Sequence, residues 1–292
     1  MDLDQIWNSG DPRASEVAFR ALLPAAEQLS GPERCYLVEL HTRIARAEGA
    51  QGKVKEAHLS LDLAERLLLE QQTGYPVAAK IRLLLEKGRL HVFEKTPSQA
   101  RLSFVEAWTL AINSGEDYLA VDVALMMAVT EPQKVQQEWI ARALKLAETS
   151  PQENTKRWLG TLYMALGWKF YDMRQYETCL ETFQKASSHL KIHGSVREVF
   201  VAKWSIGKLL RTMGRTEEAL TIQNALLAEL GIGGTRDGRL YEELAECLHT
   251  LRRSTEAQLY FELAYRELST DTWMTDNQPV TLKRLKDLGK VK

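Results

Sequence analysis

The features of this sequence that could support chemistry are its histidines, its cysteines and one glycine-rich segment. His189 and His193 are four residues apart, a spacing that places two metal ligands on one face of a helix. They directly precede Gly194, and histidines are favourable at a helix C-terminus where a glycine supplies the turn. Because no third ligand lies near them in the sequence, we interpret the pair as a helix end and predict no metal site.

Other candidate motifs lack the partners that catalysis requires. Glu246 and His249 are three residues apart, but a two-metal centre needs a second such pair from another helix. The glycine-rich segment 231–238 contains no P-loop lysine and follows a predicted helix instead of a strand. Cys179 lies on an apolar helix stripe, which favours a packing role over a reactive thiol. We therefore predict neither enzymatic activity nor a cofactor.

Composition and charge exclude several classes of protein. The 292 residues include 38 Lys and Arg against 39 Asp and Glu, and the formal net charge of -1 is unlike that of a basic nucleic-acid-binding domain. No apolar run approaches the roughly 18 residues of a membrane span, and the acidic start is unlike a signal peptide. Three widely spaced cysteines favour no disulfide framework. We expect a cytoplasmic chain that binds neither nucleic acid nor membrane.

An internal repeat supplies the elements that position the polar side chains. Helix pairs recur six times, each with a small residue in the first helix and, as a rule, a large one in the second. The small residues are Ala45, Gly88, Ala124, Gly167, Gly207 and Ala245. The residues at the large position are Leu61, Phe104, Ile140, Phe183, Gln223 and Phe261. A small residue lets two helix axes approach, and the large side chain fills the space beside it.

This pattern of a small residue in the first helix and a large one in the second resembles the tetratricopeptide repeat family over about residues 38–270. The match is strong in the fourth and sixth repeats and weaker in the first three, where His41 and Glu48, for example, replace apolar residues. The repeats exceed the standard length of about 34 residues, as long-repeat variants of the family do. The resemblance, which extends to uncharacterised bacterial members, implies an all-α fold: a right-handed superhelical solenoid of antiparallel helix pairs.

The expected organisation is one continuous solenoid domain. Residues 1–37 are predicted to form an N-terminal half-repeat or cap, and residues 271–292 a C-terminal capping helix, because solenoids need capped ends. The six predicted pairs occupy residues 38–80, 81–116, 117–159, 160–199, 200–237 and 238–270.

In this family the first helices of successive pairs line a concave groove, so the resemblance implies which side chains face a partner. These candidates are Arg46 and Arg89 in the first two repeats and Met164, Trp168, Tyr171, Trp204, Lys208 and Arg211 in the fourth and fifth. Trp, Tyr and Arg are the side chains that most often anchor interfaces. The two tryptophans would contact an apolar anchor, or they would instead pack between repeats. Lys208 and Arg211 would pair with a carboxylate, and their reversal to glutamate should leave the fold intact.

The predicted function is therefore non-catalytic binding of another protein or peptide, as a scaffold or adaptor. Its partner would bear an acidic or C-terminal carboxylate group. The family's five-residue carboxylate clamp is not expected, because only Arg239 fits among the matching positions of repeats four to six. Two alternatives stay open: a peptide- or ligand-sensing regulator that acts on a separate effector protein and, more remotely, an enzyme built on a helical solenoid. A homo-oligomer is open as well.

Overall fold

The computed structural model describes residues 3, 6–8, 10–70, 76–233 and 235–291, with the side chains of 32, 133, 134, 232 and 233 left out. Predictions that include residues 1–2, 4–5, 9, 71–75, 234 and 292 lie outside the described residues at those positions. The described residues are predominantly helical, and none of them lies in a strand. The predicted all-α fold of paired helices is confirmed. The chain divides into two compact units, Met1–Trp158 and Leu159–Lys292, and each is described by itself.

The first unit contains three long helix pairs that follow a shorter N-terminal segment. Its helices are α1 (Pro12–Ala21), α2 (Leu23–Ala26), α3 (Cys35–Ala50), α4 (Val54–Glu70), α5 (Val77–Phe93), α6 (Pro97–Ser114), α7 (Asp117–Thr130) and α8 (Gln133–Thr149). Helix α3 packs with α4, α5 with α6, and α7 with α8. Helix α3 also contacts α5, and α5 contacts α7, so the first helices of neighbouring pairs lie side by side.

The second unit also consists of helix pairs, and it includes all of α9 except its first residue. Its helices are α9 (Trp158–Asp172), α10 (Tyr176–His193), α11 (Val196–Thr212), α12 (Thr216–Gly233), α13 (Gly238–Thr250), α14 (Ser254–Leu268), α15 (Thr272–Asn277) and α16 (Pro279–Gly289). Helix α11 contacts α13, again joining first helices of neighbouring pairs. Helix α16 packs on α14 and buries Leu282 and Leu285, so it covers the apolar face of the last pair.

Close packing within two of the helix pairs depends on glycine in the first helix. A Cβ atom at Gly88 would overlap the ring of Phe104, and one at Gly167 would overlap the ring of Phe183. Both phenylalanines are fully buried. The side chains of Ala45, Ala124, Ala245 and Phe261 are buried as well. Each glycine therefore lets a large ring lie directly against the backbone of the first helix.

The fifth pair fills the same space with a polar side chain. Gln223 is fully buried beside Gly207, where a Cβ atom would meet the glutamine amide. Its Nε2 donates a hydrogen bond to the Trp204 carbonyl oxygen at 3.3 Å. Its Oε1 accepts no hydrogen bond from any described residue. An amide of suitable volume therefore replaces the aromatic ring, and its oxygen has no hydrogen-bond donor among the described residues.

Two first helices of the second unit begin with strong caps. Ser195 and Glu198 form a reciprocal capping box at the start of α11, in which the Glu198 amide donates to Ser195 Oγ at 3.2 Å and the Ser195 amide to Glu198 Oε2 at 2.8 Å. Asp237 caps α13 by accepting from the Leu240 amide at 2.9 Å. Such caps satisfy amides that have no partner inside the helix and typically contribute ~1 kcal/mol each. They fix the starting points of the helices that carry Trp204 and Glu243.

Candidate binding surfaces

The second unit brings together three of the aromatic residues that the sequence analysis assigns to the groove. The ring of Trp168 lies 5.4 Å from that of Tyr171, 6.2 Å from that of Trp204 and 5.2 Å from that of Phe183, measured between centroids. Trp168, Tyr171 and Trp204 are each half-buried. The tryptophans therefore pack between neighbouring helices and also keep part of their surface exposed. Together with the half-buried Met164 of α9, these three residues are called the aromatic patch below.

Internal contacts hold the aromatic patch in one orientation. Trp204 Nε1 donates a hydrogen bond to the Arg239 carbonyl oxygen at 3.2 Å. The Tyr171 hydroxyl is hydrogen-bonded to Thr212 Oγ1 at 3.1 Å. Met164 and Trp168 pack against the buried cluster that contains Phe183. With their polar groups satisfied, the rings present apolar surface that needs little ordering before a partner can bind.

The two cations beside the patch already have a carboxylate partner in the chain. Lys208 Nζ lies 2.8 Å from Glu243 Oε1, and Arg211 binds both oxygens of Glu243, with Nε at 2.8 Å from Oε2 and Nη2 at 3.1 Å from Oε1. Only 1% of the Glu243 side chain is exposed. Burial raises the pKa of Glu243, but the hydrogen bond from Arg211 and the charge of Lys208 outweigh this effect and lower it. The carboxylate that the sequence analysis assigns to a partner is thus supplied by α13.

Other charges on α13 are paired in the same way. Glu246 binds the guanidinium of Arg284 on α16, with Oε2 at 3.1 Å from Nη2. The Arg239 guanidinium lies 6.0 Å from the centre of the Trp273 ring. Glu242 is the exception, because burial raises its pKa and it forms no ion pair with the described residues. The polar border of the aromatic patch is therefore largely a network within the chain.

In the first unit, Arg46 of α3 and Arg89 of α5 lie on the buried polar side of the first helices. Arg89 binds Glu86 on its own helix and donates from Nη2 to Asp122 Oδ1 on α7 at 2.5 Å. Burial lowers the pKa of Arg89, but the charges of Asp122 and Glu86 outweigh it and raise the pKa. Burial alone would raise the pKa of Asp122, but the charge of Arg89 outweighs burial and lowers it. Arg89 is therefore fixed by two acids.

Arg46 is held less completely. Its nearest described carboxylate oxygen is Glu86 Oε1, 4.0 Å from Nη1, a distance too long for a hydrogen bond. Its guanidinium instead lies over the Trp7 ring, 4.5 Å from the ring centre. Burial, followed by repulsion from Arg89, lowers the pKa of Arg46 to about 10. The guanidinium stays charged at neutral pH, and its N–H donors make no hydrogen bond to the described residues.

A cavity of about 220 Å³ lies beside Arg46. Its walls include Trp7, Leu90 and Phe93 as apolar surfaces and Arg46, Glu86 and Arg89 as charged groups. Phe93 is 51% exposed, whereas Glu86 is 4% exposed. The sequence predicts a groove position for Arg46 and Arg89 but no role for Trp7, which lies before the first complete pair. The contact between Trp7 and Arg46 of α3 is visible only in the folded structure.

Polar contacts hold the segment that contains Trp7 against α1, and hold α1 against the turn after α3. The Asn8 amide donates to Ser15 Oγ at 2.9 Å, and Ser15 is buried at the start of α1. Glu16, the next residue, accepts from Lys53 Nζ at 2.7 Å and from Gln51 Nε2 at 2.8 Å. Helix α1 is thereby held against the turn after α3, and the segment with Trp7 is held against α1.

The contacts of Glu16 predict a pH dependence of stability. Burial alone would raise its pKa, but hydrogen bonds from Lys53, Arg20 and Gln51 lower it from 4.5 to about 2. A carboxylate with a lowered folded-state pKa stabilises the fold above its unfolded pKa, and that stability is lost as pH falls through the folded value. Glu16→Gln should therefore lower the free energy of unfolding by about 3 kcal/mol at neutral pH, and its stability should fall less steeply than that of the wild type between pH 4.5 and 2.

Urea unfolding at a series of pH values measures this effect. The matched control is Glu218→Gln, because Glu218 pairs with Arg215 on an exposed surface. The control should follow the wild-type profile closely. An unchanged profile for Glu16→Gln would mean that the contacts of α1 do not stabilise the ionised carboxylate.

The histidine and cysteine candidates do not form a catalytic or metal-binding group among the described residues. Among the described residues, no group of three or more His, Cys, Asp and Glu side chains is arranged to hold a metal ion. His189 stacks on the Tyr163 ring at 5.7 Å, and His193 is exposed at the end of α10. Cys179 donates to the Gly167 carbonyl oxygen at 3.1 Å, and burial raises the pKa of its thiol to about 11. Within the described residues, no helix has the length and apolar character of a membrane span.

Comparisons with known proteins identify the fold. No protein-family model matches the chain, and no curated protein matches it at a significant level. Among solved structures, it is similar to a Signal Transduction ATPase with Numerous Domains from Pyrococcus horikoshii that has a tetratricopeptide repeat sensor. That match has a TM-score of 0.65 and 16% identity, and covers 96% of this chain and 44% of the other.

Two further similar structures are of the protein NprR. The apo quorum sensor NprR from B. thuringiensis has a TM-score of 0.63 and 14% identity, covering 98% of this chain and 80% of the other. NprR in complex with its cognate peptide NprX has a TM-score of 0.55 and 14% identity, and the match covers 99% of this chain and 84% of the other. The resemblance to tetratricopeptide repeat proteins is thereby confirmed at the level of fold.

Proposed function

We propose that the chain binds a peptide, or a peptide-like segment of a partner protein, on the aromatic patch, and that it acts as a cytoplasmic adaptor without catalysing a reaction. The observation that carries this proposal is the half-buried trio of Trp168, Tyr171 and Trp204, whose orientations are fixed by internal contacts. Large aromatic side chains that are ordered before binding contribute much contact area at little entropic cost. The likeness of fold to NprR, which has been solved with a cognate peptide, supports the same class of ligand.

The contribution of a partner carboxylate is smaller in this proposal than that of an apolar anchor. Arg211 already makes two hydrogen bonds to Glu243, and Lys208 makes one. The lysine ammonium has three N–H donors, so the half-buried Lys208 can donate to a second carboxylate beside Glu243. An acidic group of the partner would therefore add to the affinity at Lys208 but would not replace the apolar contact.

Peptide display followed by measurement of binding tests the proposal. Peptides selected on the wild-type protein should contain a large apolar or aromatic residue. Their affinity should fall by roughly 30-fold or more in the Trp168→Ala/Trp204→Ala variant, because the loss of even one such side chain at the centre of an interface typically costs about 2 kcal/mol. The matched control is Trp273→Ala, which removes a 51% exposed tryptophan of the same unit. That variant should bind as the wild type does.

Helicity and melting temperature must be equal in the compared proteins before their affinities are interpreted. Selected peptides that bind the double variant with unchanged affinity would contradict the proposed patch. A selection that yields no specific peptide would contradict peptide binding itself.

A sensing role is the second candidate, and the comparisons favour it. Both NprR, a quorum sensor, and the sensor of the Pyrococcus horikoshii protein have a similar fold. A sensor differs from an adaptor because its ligand changes the affinity for a separate effector. Measuring capture of effector proteins with and without a selected peptide separates the two roles: a sensor captures different amounts, and an adaptor holds peptide and protein partners independently.

A further inference from the structure

The cavity of the first unit is lined by a cation whose hydrogen-bonding capacity is unused within the described residues. This cation is Arg46, and 22% of its side chain is exposed. The Trp7 ring covers one face of the guanidinium, and the closest carboxylate oxygen, Glu86 Oε1, is 4.0 Å from Nη1. The N–H groups of a guanidinium lie in its plane, so stacking on one face leaves them free to donate. Arg46 can therefore bind an acceptor that enters the cavity.

The surroundings of Arg46 favour an acceptor with a negative charge. Burial lowers the pKa of Arg46 most, and the charges of Arg89 and Arg43 lower it further. The charges of Glu86 and Asp122 act in the opposite direction but are outweighed, so the pKa falls to about 10. The positive charge is therefore less stable here than in water, and an anion on Arg46 would stabilise it. Glu86 offers no site for a cation, because its Oε2 is fully buried and its Oε1 is bound to Arg89.

The walls and the volume of the cavity define the rest of the ligand. Trp7, Leu90 and Phe93 offer apolar surface beside the guanidinium. The volume of about 220 Å³ is below the range of about 300–1,000 Å³ for sites that take drug-sized ligands. The cavity therefore suits a small acid with one apolar group better than a peptide of several residues.

We propose that this cavity binds a small monocarboxylate that bears one apolar group, with the carboxylate on the Arg46 guanidinium and the apolar group against Trp7, Leu90 and Phe93. A guanidinium and a carboxylate can form two parallel hydrogen bonds, and this pairing fixes the orientation of the ligand as well as adding affinity. The site is separate from the aromatic patch, because all its residues belong to the first unit. It adds a small-molecule ligand to the proposed peptide-binding function and does not depend on that function.

Calorimetric titration with phenylacetate and 4-methylpentanoate tests the site directly. Both should bind, and acetate, which lacks the apolar group, should bind about tenfold or more weakly. Phenylacetamide has nearly the same shape without the charge, so it should also lose about tenfold or more. Equal affinities of phenylacetate and phenylacetamide, or no binding of either acid, would overturn the proposal. Tighter binding of N-acetyl-glycyl-glycyl-L-phenylalanine than of phenylacetate would overturn it in favour of the C-terminal residue of a peptide.

Variants connect the titration to the cavity. Arg46→Gln should weaken phenylacetate about tenfold or more and leave the affinity for phenylacetamide unchanged, a contrast that a general loss of structure would not give. If Arg46→Gln melts at a lower temperature, Phe93→Ser carries the test, because Phe93 is 51% exposed and its ring lines the cavity. The matched control is Arg142→Gln, which should bind as the wild type does, because the Arg142 guanidinium lies over the Trp139 ring at 4.7 Å and does not line the cavity. Unchanged binding of phenylacetate in Arg46→Gln or Phe93→Ser, or an equal loss in Arg142→Gln, would overturn the proposal.

Discussion

Replacing Gly167 with leucine should lower the free energy of unfolding by about 1–3 kcal/mol, the usual cost of overpacking a well-packed core. In the structure, even a single Cβ atom at this position would overlap the ring of Phe183, which is fully buried. Neither helix can move away easily, because Cys179 also donates a hydrogen bond to the Gly167 carbonyl oxygen. Urea unfolding followed by circular dichroism measures the change.

The matched control for this variant is Gly231→Leu. Gly231 lies in α12, and a Cβ atom there would meet no atom within 4 Å. Because glycine is a poor helix former, leucine at this exposed site should leave stability unchanged or raise it by about 0.5 kcal/mol. Equal effects of the two substitutions would mean that the fourth pair does not pack through Gly167.

The fold could be predicted because its determinants repeat along the chain. Contacts such as Gly88 with Phe104 and Gly167 with Phe183 impose a small and a large residue at a fixed separation, which a single sequence displays. Gln223 shows that the position requires volume more strictly than apolarity. The spacing of residue sizes therefore contains the information about helix pairing, and the similar solved structures have the same fold.

The candidate sites were less predictable because their contacts join different repeats. Lys208 and Arg211 are recognisable from the sequence as first-helix residues, but their pairing with Glu243 joins two repeats and becomes visible only in the structure. Arg89 and Asp122 form an equivalent pair between α5 and α7. Opposite charges about one repeat apart on successive first helices are a signal that could have revealed these pairs.

Trp7 illustrates a different limit of sequence analysis. It belongs to no helix pair, and no spacing relates it to Arg46, yet the guanidinium lies over its ring. Its position follows from Ser15 and the contacts of α1 with α3. A residue that is placed by tertiary packing of a non-repeating segment has no periodic signal.

The pairing with Glu243 changes the result expected for reversing both cations of the second unit. On the sequence alone, Lys208→Glu/Arg211→Glu should leave the fold intact. In the structure, the double substitution would place two new carboxylates beside Glu243, which is 1% exposed and would lose both of its partners. Removing a partner from a buried ion pair typically costs about 3–5 kcal/mol, so we expect this variant to lose at least that much or to fail to fold.

Two comparisons separate this cause from a general effect of added negative charge. Lys203→Glu reverses a cation of the same helix that pairs with Glu229 at the surface, and it should cost less than about 1 kcal/mol. Adding Glu243→Lys to the double variant restores opposite charges with reversed positions and should recover part of the stability. If the double variant were as stable as Lys203→Glu, the buried network would not support the fold. If it is strongly destabilised, its loss of peptide binding would report on folding, and the tryptophan variants are the ones that test the aromatic patch.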